Sequence, residues 1–531
     1  MSSRSAAEHP RTVDPTLTRL ARGGTLNLVG ALVSGLLAAL VTVIVARHYA
    51  RPVAGAFFAA TALFLILSAV AELGVDTGLL RWLPRYAVEK RYDDMHTCVR
   101  IAMRPVYVAS VAVGVVVFVA APWIASASVD GAQKHAFTGM LRVLAVGLPI
   151  AAAYDLVLAQ TRVYGSMRPT VVVEKLGRSV AQPVAIVIVE AMHGGAVALA
   201  VAWTAPYIPA MFAAIAWNGR VTHAHRAKAD VSVPARPVAE VRGEFWRYTT
   251  PRAAARIFQV ALQRADIVLV AALRSPKEAA VYAAASRLLV FGQLGTLAVQ
   301  QVMQPHLSRL LAADDHARAT KVFQTSTAWL MAFAWPAYLA SAAAAPLLLS
   351  VFGPGYSGGQ ATLVILSLTM LLATACGPVD IVLLMGGRSG LSLFNNFAAL
   401  VVDIVLNFVL IPKIGITGAA VSWAAALVVR NVLPLWQVRS MLNMSPVSTG
   451  SIWVALSAAA CFGVVPAVAR ATVGLGLGVA LPVFGVCSAA YLGLLWLGRR
   501  HLALDAFAGL LRRRVAAVAV NEDAAPAAVS G

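Results

Sequence analysis

Residues 245–272 read FWRYTTPRAAARIFQVALQRADIVLVAA, a segment that is apolar and long enough to cross a bilayer. It nevertheless carries polar side chains at intervals of three or four, which places them on one helix face: Arg252, Arg256, Gln259, Gln263 and Asp266. A charge at the bilayer centre costs roughly 2.5–3.5 kcal/mol, so several charges on one face require water or a buried partner beside them. This polar stripe therefore predicts a polar path through a membrane.

The whole chain has the composition of a membrane protein. Of its 531 residues, 60% are hydrophobic and 12% are charged, and its mean hydropathy is +0.76. Soluble domains carry about 25% charged residues. We therefore expect an all-α polytopic membrane protein. Apolar stretches of about 20 residues predict fourteen membrane-spanning helices, at residues 25–46, 54–80, 101–121, 137–158, 169–189, 195–217, 245–272, 279–303, 323–352, 361–384, 391–411, 418–436, 452–469 and 473–497.

An internal repeat divides these spans. The segment VARHYARPVAGAFFAA (45–60) resembles LVAALRSPKEAAVYAA (269–284), with Pro52 aligned to Pro276. Each copy lies where the first helix of a six-helix bundle meets the second. Two such bundles suit alternating access. The predicted order is a cytoplasmic N-terminal tail (1–24), a six-helix bundle (25–217), a basic cytoplasmic linker (218–244), a second six-helix bundle (245–436), two additional transmembrane helices (450–498), and an amphipathic segment with a disordered tail (499–531).

The distribution of basic residues predicts the orientation. If the N-terminus is cytoplasmic, 28 Lys and Arg residues fall in cytoplasmic segments and 7 in external ones. Basic loops stay on the cytoplasmic side, so we expect both termini in the cytoplasm and a multi-pass protein of the inner (plasma) membrane. The same loops predict contact with anionic membrane lipids, and they account for most of the net charge of +20 without nucleic acid as a partner.

Other polar residues inside the predicted spans extend the candidate site. The basic ones join the polar stripe as candidates for substrate binding: Arg264, Arg287, Lys175 and Arg178. The others are candidates for coupling or for lining the same cavity: Glu72, Asp76, Asp155, Glu174, Asp380, Asn396 and Asp403. Two simpler interpretations stay open, because Glu174 and Arg178 have the spacing of a structural ion pair and Glu72 and Asp76 have that of a solvated pair at the membrane surface.

Nothing in the chain predicts a metal site or a cofactor. His223 and His225 stand isolated in a basic loop, which is too little for a metal centre. The four cysteines include no CxxC pair, so we interpret them as packing residues. The chain also has no Walker A string for nucleotide binding.

The segments LLMGGRSGLSLFNN (383–396) and LIPKIGITGAAVSWAAALVVRNVLPL (410–435) resemble the C-terminal half of polysaccharide flippases of the multidrug/oligosaccharidyl-lipid/polysaccharide (MOP) exporter superfamily. The segment RGGTLNLVGALVSGLLAALVTVIVARHYA (22–50) is similar to the first helix of that family. The resemblance implies a V-shaped pair of bundles around a cationic cavity, with Arg252, Arg256 and either Arg264 or Arg287 as its cations. It also implies a polyprenyl-diphosphate-linked sugar as substrate, a groove for the lipid tail beside the last two helices, and a polysaccharide polymerase or glycosyltransferases as partners.

The chemistry of the stripe agrees with an anionic substrate, because a guanidinium group binds phosphate oxygens in a bidentate manner. We therefore expect a transporter and no enzyme activity. A cation-coupled multidrug exporter of the same fold stays open, although it should favour an anionic or aromatic cavity. A membrane glycosyltransferase or polymerase would need a large acidic external loop, whereas the longest one predicted, residues 122–136, holds only Asp130. A scaffold member of the superfamily is the remaining alternative.

Overall fold

The structure, a computed structural model, describes residues 15–128, 133–163, 168–226, 236–474 and 476–502. Within these ranges the chain forms helices joined by short turns, and no strand occurs in them. The described residues leave out most of the predicted N-terminal tail, part of the predicted basic linker, and nearly all of the predicted amphipathic segment and tail (499–531).

The first half of the molecule consists of eight α-helices and one π-helical segment: α1 (Pro15–His48), α2 (Arg51–Ala71), α3 (Val75–Val88), α4 (Tyr92–Ser128), α5 (Gln133–Val163), the π-helix (Thr170–Arg178), α6 (Ser179–Ala191), α7 (Ala196–Thr204) and α8 (Tyr207–Arg226). In this half α4 packs along α5, while α5 also contacts α2, α7 and α8. Helix α1 packs on α6 and on the π-helix.

The second half contains α9 (Val238–Leu273), α10 (Pro276–Arg287), α11 (Val290–Ala312), α12 (His316–Ala343), α13 (Ala345–Ser350), α14 (Gln360–Ala375), α15 (Val379–Met385), α16 (Ser389–Ile414) and α17 (Ile416–Leu442). The chain then continues into α18 (Thr449–Ala458), a second π-helical turn (Ala459–Val464), α19 (Val465–Thr472) and α20 (Leu477–Leu497). Helix α12 joins these last helices to the second half, because it packs on α11 and α14 and also on α18.

Ten helical stretches of the described chain are long and apolar enough to cross a membrane: Asn27–His48, Arg51–Val88, Tyr92–Ser128, Gln133–Arg162, Ala196–Val221, Ser357–Met385, Ser389–Ile414, Ile416–Leu442, Thr449–Thr472 and Leu477–Leu497. The predicted all-α polytopic membrane fold is therefore confirmed. The other four of the fourteen predicted spans, at 169–189, 245–272, 279–303 and 323–352, are also largely helical. These four segments contain charged, glutamine or other polar residues, which make them less apolar than the ten stretches above.

The second predicted span is two helices rather than one. Helix α2 ends at Ala71, and the backbone then passes through Leu73 and Gly74 with φ of 50° and 65° before α3 begins. A Cβ on Gly74 would stand 2.7 Å from the Cα of Ala253 in α9. Glycine thus provides both the left-handed backbone and the close approach of this α2–α3 break to the helix that carries the polar stripe.

The two copies of the internal repeat pack against each other on one side of the molecule. A Cβ on Gly55 of α2 would overlap the carbonyl oxygen of Pro276 at the start of α10. Nearby, Arg47 donates to the carbonyl oxygen of Val351 at 2.6 Å, and Arg51 donates to that of Gly355 at 3.0 Å. We call this side, formed by turns 49–50, 274–275 and 353–356, the far face. The halves are in tight contact there.

Helix α9 crosses from one half to the other. Near its start, the fully buried side chains of Val241 and Phe245 belong to an apolar cluster with Leu79 of α3 and Leu156 of α5. Further along, Leu262 packs with the α16 side of the second half. The helix with the polar stripe is therefore held by both halves, which fixes the position of its polar face relative to each.

Candidate functional site

The polar stripe presents its cations to open space. Arg252 and Arg256 are exposed and Gln263 is also exposed, whereas Gln259 and Arg264 are half-buried. Pro251 lies within α9 one residue before the stripe begins. The guanidinium of Arg252 lies 4.6 Å from the ring centroid of Tyr248, which Arg81 of α3 also covers at 4.0 Å. Aromatic contact of this kind holds an arginine in place without neutralising it.

Arg264 and Arg287 lie close enough for their charges to interact, one on α9 and the other at the end of α10. Within the described residues, Arg252, Arg256, Arg264 and Arg287 make no ion pair with a carboxylate. Two like charges that face each other repel, and an anion between them removes the repulsion. This part of the site thus has the charge distribution that suits an anionic ligand.

The α2–α3 break brings acidic side chains to the other side of the stripe. Glu72 accepts a hydrogen bond from Ser68 Oγ at 3.1 Å and interacts electrostatically with Asp76 and Arg256. Its carboxyl group is also within hydrogen-bonding reach of the Asp155 carboxyl group. The structure thus brings the half-buried Glu72 together with Asp155 and with the exposed Arg256, instead of leaving Glu72 and Asp76 as an isolated pair at the membrane surface.

Glu174 and Arg178, whose i,i+4 spacing predicts an ion pair, lie in the π-helix and do not form that pair. Arg178 donates to Tyr207 Oη at 3.3 Å and to Gln182 Oε1 at 3.4 Å, and no direct ion pair to Glu174 forms among the described residues. A π-helix has more residues per turn than an α-helix, so side chains four apart no longer lie one above the other. The i,i+4 interpretation assumed α-helical geometry and was wrong for this reason.

Lys175 does not join the cations of the polar stripe. Its Nζ donates to the side chain of Asn27 in α1 at 2.7 Å and to the Asn27 carbonyl oxygen at 3.1 Å. Gly30, one turn further along α1, leaves room for this side chain, since a Cβ there would stand 3.0 Å from Lys175 Cδ. This lysine therefore ties α1 to the π-helix.

Asp266, at the end of the stripe, is buried in a separate acidic site. It accepts hydrogen bonds from Tyr282 Oη at 2.7 Å and from Asn407 Nδ2 at 2.8 Å, and Asp403 is within hydrogen-bonding reach. Both carboxylate oxygens of Asp403 and the amide oxygen of Asn407 are buried without a hydrogen-bond partner. Asp266 therefore has neutral and acidic neighbours, and no basic residue is among them.

Of the two residues that donate hydrogen bonds to Asp266, Asn407 follows from the sequence pattern and Tyr282 does not. Asn407 follows Asp403 at an interval of four on α16, so the helical periodicity of Ser392, Asn396 and Asp403 contained the signal. Tyr282 lies in the second copy of the internal repeat, and its sequence neighbourhood carries no polar pattern.

Asp380 and Asn396 form a further cluster around Ser392. The Ser392 hydroxyl donates to Asp380, Asn396 Nδ2 donates to the Ser392 carbonyl oxygen at 2.8 Å, and Arg430 interacts electrostatically with Asp380. These partners connect α15, α16 and α17 within the second half. In the described chain, then, Asp380 and Asn396 have partners of their own and do not contact the stripe arginines through any hydrogen bond.

Comparison with known proteins places the chain in a family. Residues 58–357 match the family model described as polysaccharide biosynthesis protein. The chain belongs to this family. A search of curated proteins finds no match for this member of the polysaccharide biosynthesis family.

Solved structures show the same fold at low sequence identity. The lipid II flippase MurJ in an inward closed conformation has a TM-score of 0.72 and 12% identity, and the match covers 90% of this chain and 99% of that chain. A multidrug resistance MATE family transporter of the MOP superfamily, in its inward-facing conformation, has a TM-score of 0.58 and 16% identity over 81% of this chain and 98% of that chain. A MOP superfamily transporter from Pyrococcus furiosus, described with a binding pocket of reverse polarity, has a TM-score of 0.51 and 16% identity over 82% and 99%.

These matches confirm the resemblance to the MOP exporter superfamily. This family member shares its fold with proteins that are described as a lipid II flippase and as a multidrug resistance transporter. It is accordingly a multi-pass membrane protein.

Proposed function

We propose that this member of the polysaccharide biosynthesis family is a flippase for a polyprenyl-diphosphate-linked sugar or oligosaccharide. The observation that supports this proposal most strongly is the pair Arg264 and Arg287, whose charges lie close enough to interact and have no ion-pair partner in the described chain. Unpaired charges inside a membrane are costly, and a diphosphate offsets that cost with charge-assisted hydrogen bonds. Planar guanidinium groups suit the oxygens of two linked phosphates.

The comparisons support the same class of substrate. The family is described by polysaccharide biosynthesis, and MurJ, whose fold this chain shares, is described as a flippase of lipid II. A lipid-linked sugar for cell-surface polysaccharide is the substrate that satisfies both descriptions. A polysaccharide polymerase or glycosyltransferases would then supply and use this substrate.

The spacing of the cations suggests two positions for the diphosphate along α9. Eight residues separate Arg256 from Arg264, which corresponds to about 12 Å along an α-helix at 1.5 Å per residue. In our proposal Arg252 and Arg256 receive the diphosphate from the cytoplasmic leaflet, and it then passes to Arg264 and Arg287. The tight contact between Gly55 and Pro276 closes the far face during the first step. Alternating access then requires this contact to open.

This direction of transport assumes the orientation indicated by the basic residues. Because 28 Lys and Arg residues fall in the predicted cytoplasmic segments and 7 in the predicted external ones, which include the far face, we place the far face outside the cell and both termini in the cytoplasm. Outward movement of an anion is then favoured by the membrane potential, by roughly 2.3 kcal/mol per charge per 100 mV.

The acidic site around Asp266 supplies a candidate for ion coupling. Three buried oxygens without partners, two on Asp403 and one on Asn407, are the hard ligands that a small cation prefers. We propose that a monovalent cation or a proton binds there. Because this site also favours the alternative, a cation-coupled multidrug exporter, the two functions must be separated by experiment.

Transport by the purified protein in liposomes separates these functions. We expect wild-type protein to flip a fluorescent polyprenyl-diphosphate-linked sugar and to leave a cationic dye in place. Arg287→Gln should abolish flipping, and Arg470→Gln, an exposed arginine at the end of α19, should leave it intact. Dye transport without lipid flipping would establish the exporter instead.

A further inference from the structure

A cluster of half-buried titratable side chains lies within the first half, beside the stripe but not part of it. Glu72 comes from the α2–α3 break, Asp155 from α5, and Glu174 and Arg178 from the π-helix. Asp155 interacts electrostatically with the other three. Three carboxyl groups and one guanidinium group therefore share one region inside the first half.

The contact between Glu72 and Asp155 implies a bound proton. Two carboxyl groups within hydrogen-bonding reach cannot both be ionised in an interior site, because their charges repel and little water stabilises them. One proton between them removes the repulsion and forms the hydrogen bond. Ser68 Oγ donates to Glu72 at 3.1 Å and so completes the surroundings of its carboxyl group.

Tyr154 is an independent indication that this site holds a ligand. Its side chain is fully buried, and its hydroxyl group has no hydrogen-bond partner in the described structure. The same side chain interacts electrostatically with Asp155 and Glu174, so it lies near the carboxyl groups. A buried hydroxyl without a partner costs about 1–3 kcal/mol, and a rearranged, protonated carboxyl group can provide that partner.

The basic neighbours determine which ligand fits. Arg178 and Arg256 both interact with the acidic pair, from the π-helix and from α9. The other titratable groups that face the pair are Asp76 of α3, Glu174 of the π-helix, Tyr154 of α5 and Tyr207 of α8. Two adjacent guanidinium groups repel a metal cation, whereas a proton needs no coordination space. The Asp266 site differs from this pair, because it has no basic residue among its contacts.

We propose that Glu72 and Asp155 form a proton-binding site whose occupancy is linked to the binding of diphosphate at Arg256. This inference rests on the proposed function. An ionised Glu72 attracts Arg256 and competes with the diphosphate for it. A proton taken from bulk water neutralises the pair and leaves Arg256 free for the anion, and the proton returns to water when the anion leaves. Because the two binding equilibria are linked, a bound proton raises the affinity of the protein for diphosphate, and bound diphosphate raises its affinity for the proton by the same factor.

The proton itself can be observed without substrate. In the infrared spectrum of the purified protein at neutral pH, the protonated pair should contribute the carbonyl stretch of a carboxylic acid. The double variant Glu72→Gln, Asp155→Asn should lose this contribution and keep only that of the Asp266 and Asp403 pair, whereas Glu190→Gln, which removes a carboxyl group beside His48, should keep the full wild-type absorption. A wild-type spectrum that equals the double-variant spectrum in this region would overturn the proposal.

The linkage is tested with geranylgeranyl diphosphate as the probe, in detergent, over a range of pH. Wild-type affinity should rise at least about fivefold from alkaline to acidic pH, as expected for typical coupling between sites. Glu72→Gln should bind the probe more tightly at alkaline pH and lose most of this pH dependence, and Asp155→Asn should lose it as well. Glu190→Gln controls for the ionisation of the probe, because it should keep the wild-type profile.

The outcomes for the two proposals are distinct. If the probe binds and Arg256→Gln weakens it, but Glu72→Gln keeps the wild-type pH profile, the proton linkage is wrong and the proposed function stands. If the infrared band depends on Glu72 and Asp155 while the probe binds neither wild type nor variants, the proton site is supported, and its link to diphosphate fails together with the proposed substrate.

Discussion

Gly74 lies against Ala253, so close that a Cβ on Gly74 would stand 2.7 Å from the Ala253 Cα. This contact places the α2–α3 break between Arg252 and Arg256 along α9. It is therefore the point at which the acidic groups of the first half meet the cations of the stripe. The proximity of Glu72 to Arg256 depends on this contact.

Gly74→Ala should reduce both stability and flipping. The residue has φ of 65°, which costs a non-glycine residue about 1 kcal/mol, and the new Cβ must also displace α9. We expect a lower midpoint of thermal unfolding in detergent and a slower flipping rate. Gly478→Ala, at a glycine whose Cβ would meet open space, is the control and should change neither. An unchanged rate in Gly74→Ala would show that the close contact is dispensable.

Arg256→Gln should abolish flipping while the protein still inserts and folds, because the substitution removes the charge from an exposed side chain. Arg256→Lys should restore only part of the activity, since the charge returns without the bidentate geometry. Flipping in liposomes and the elution volume of the purified variants test this together. Normal transport by Arg256→Gln would remove this residue from the substrate path.

Gly55→Leu should hold the far face open. The larger side chain has no space against the Pro276 carbonyl oxygen, so α2 and α10 must separate. We expect flipping to fall at least about tenfold, which corresponds to 1.4 kcal/mol against the closed state. A cysteine in place of Ala280, which is buried in this contact, should react faster with an impermeant thiol reagent in the Gly55→Leu background. Unchanged reactivity would contradict closure of the halves at this position.

Asp403→Asn should remove the dependence of transport on a cation. The substitution takes away one of the charges in the Asp266 site and keeps the size of the side chain. We expect flipping by wild type to vary with sodium concentration or pH, and flipping by Asp403→Asn to vary with neither. Asp380→Asn, in the separate cluster around Ser392, should behave as wild type. A cation dependence that survives Asp403→Asn would place coupling elsewhere.

The sequence was sufficient for the fold class, because apolar stretches of membrane-spanning length depend only on local composition. It was also sufficient for the polar face of α9, because α-helical periodicity brings Arg252 and Arg256 to one side. It could not predict the α2–α3 break, since Glu72, Leu73 and Gly74 read as the continuation of an apolar helix. The backbone turns left-handed there at Leu73 and Gly74, where Gly74 lies against Ala253 of α9.

The same limit applies wherever the site depends on contacts between distant helices. The i,i+4 spacing of Glu174 and Arg178 indicated an ion pair only for an α-helix, and the π-helix changed the geometry. The meeting of Arg264 with Arg287, and that of Asp266 with Tyr282 and Asn407, depend on how α9 packs with α10 and α16. Spacing within one segment carries no information about such packing.

The most direct test of the central claim is the affinity of the purified protein for a fluorescent polyprenyl diphosphate. Hydrogen bonds to charged groups contribute about 1.5–3 kcal/mol, so Arg264→Gln and Arg287→Gln should each weaken binding by roughly 10- to 150-fold. The double variant should show little additional loss beyond the weaker single variant, because one diphosphate bridges both residues. Wild-type affinity in the double variant would contradict a diphosphate site at these two arginines.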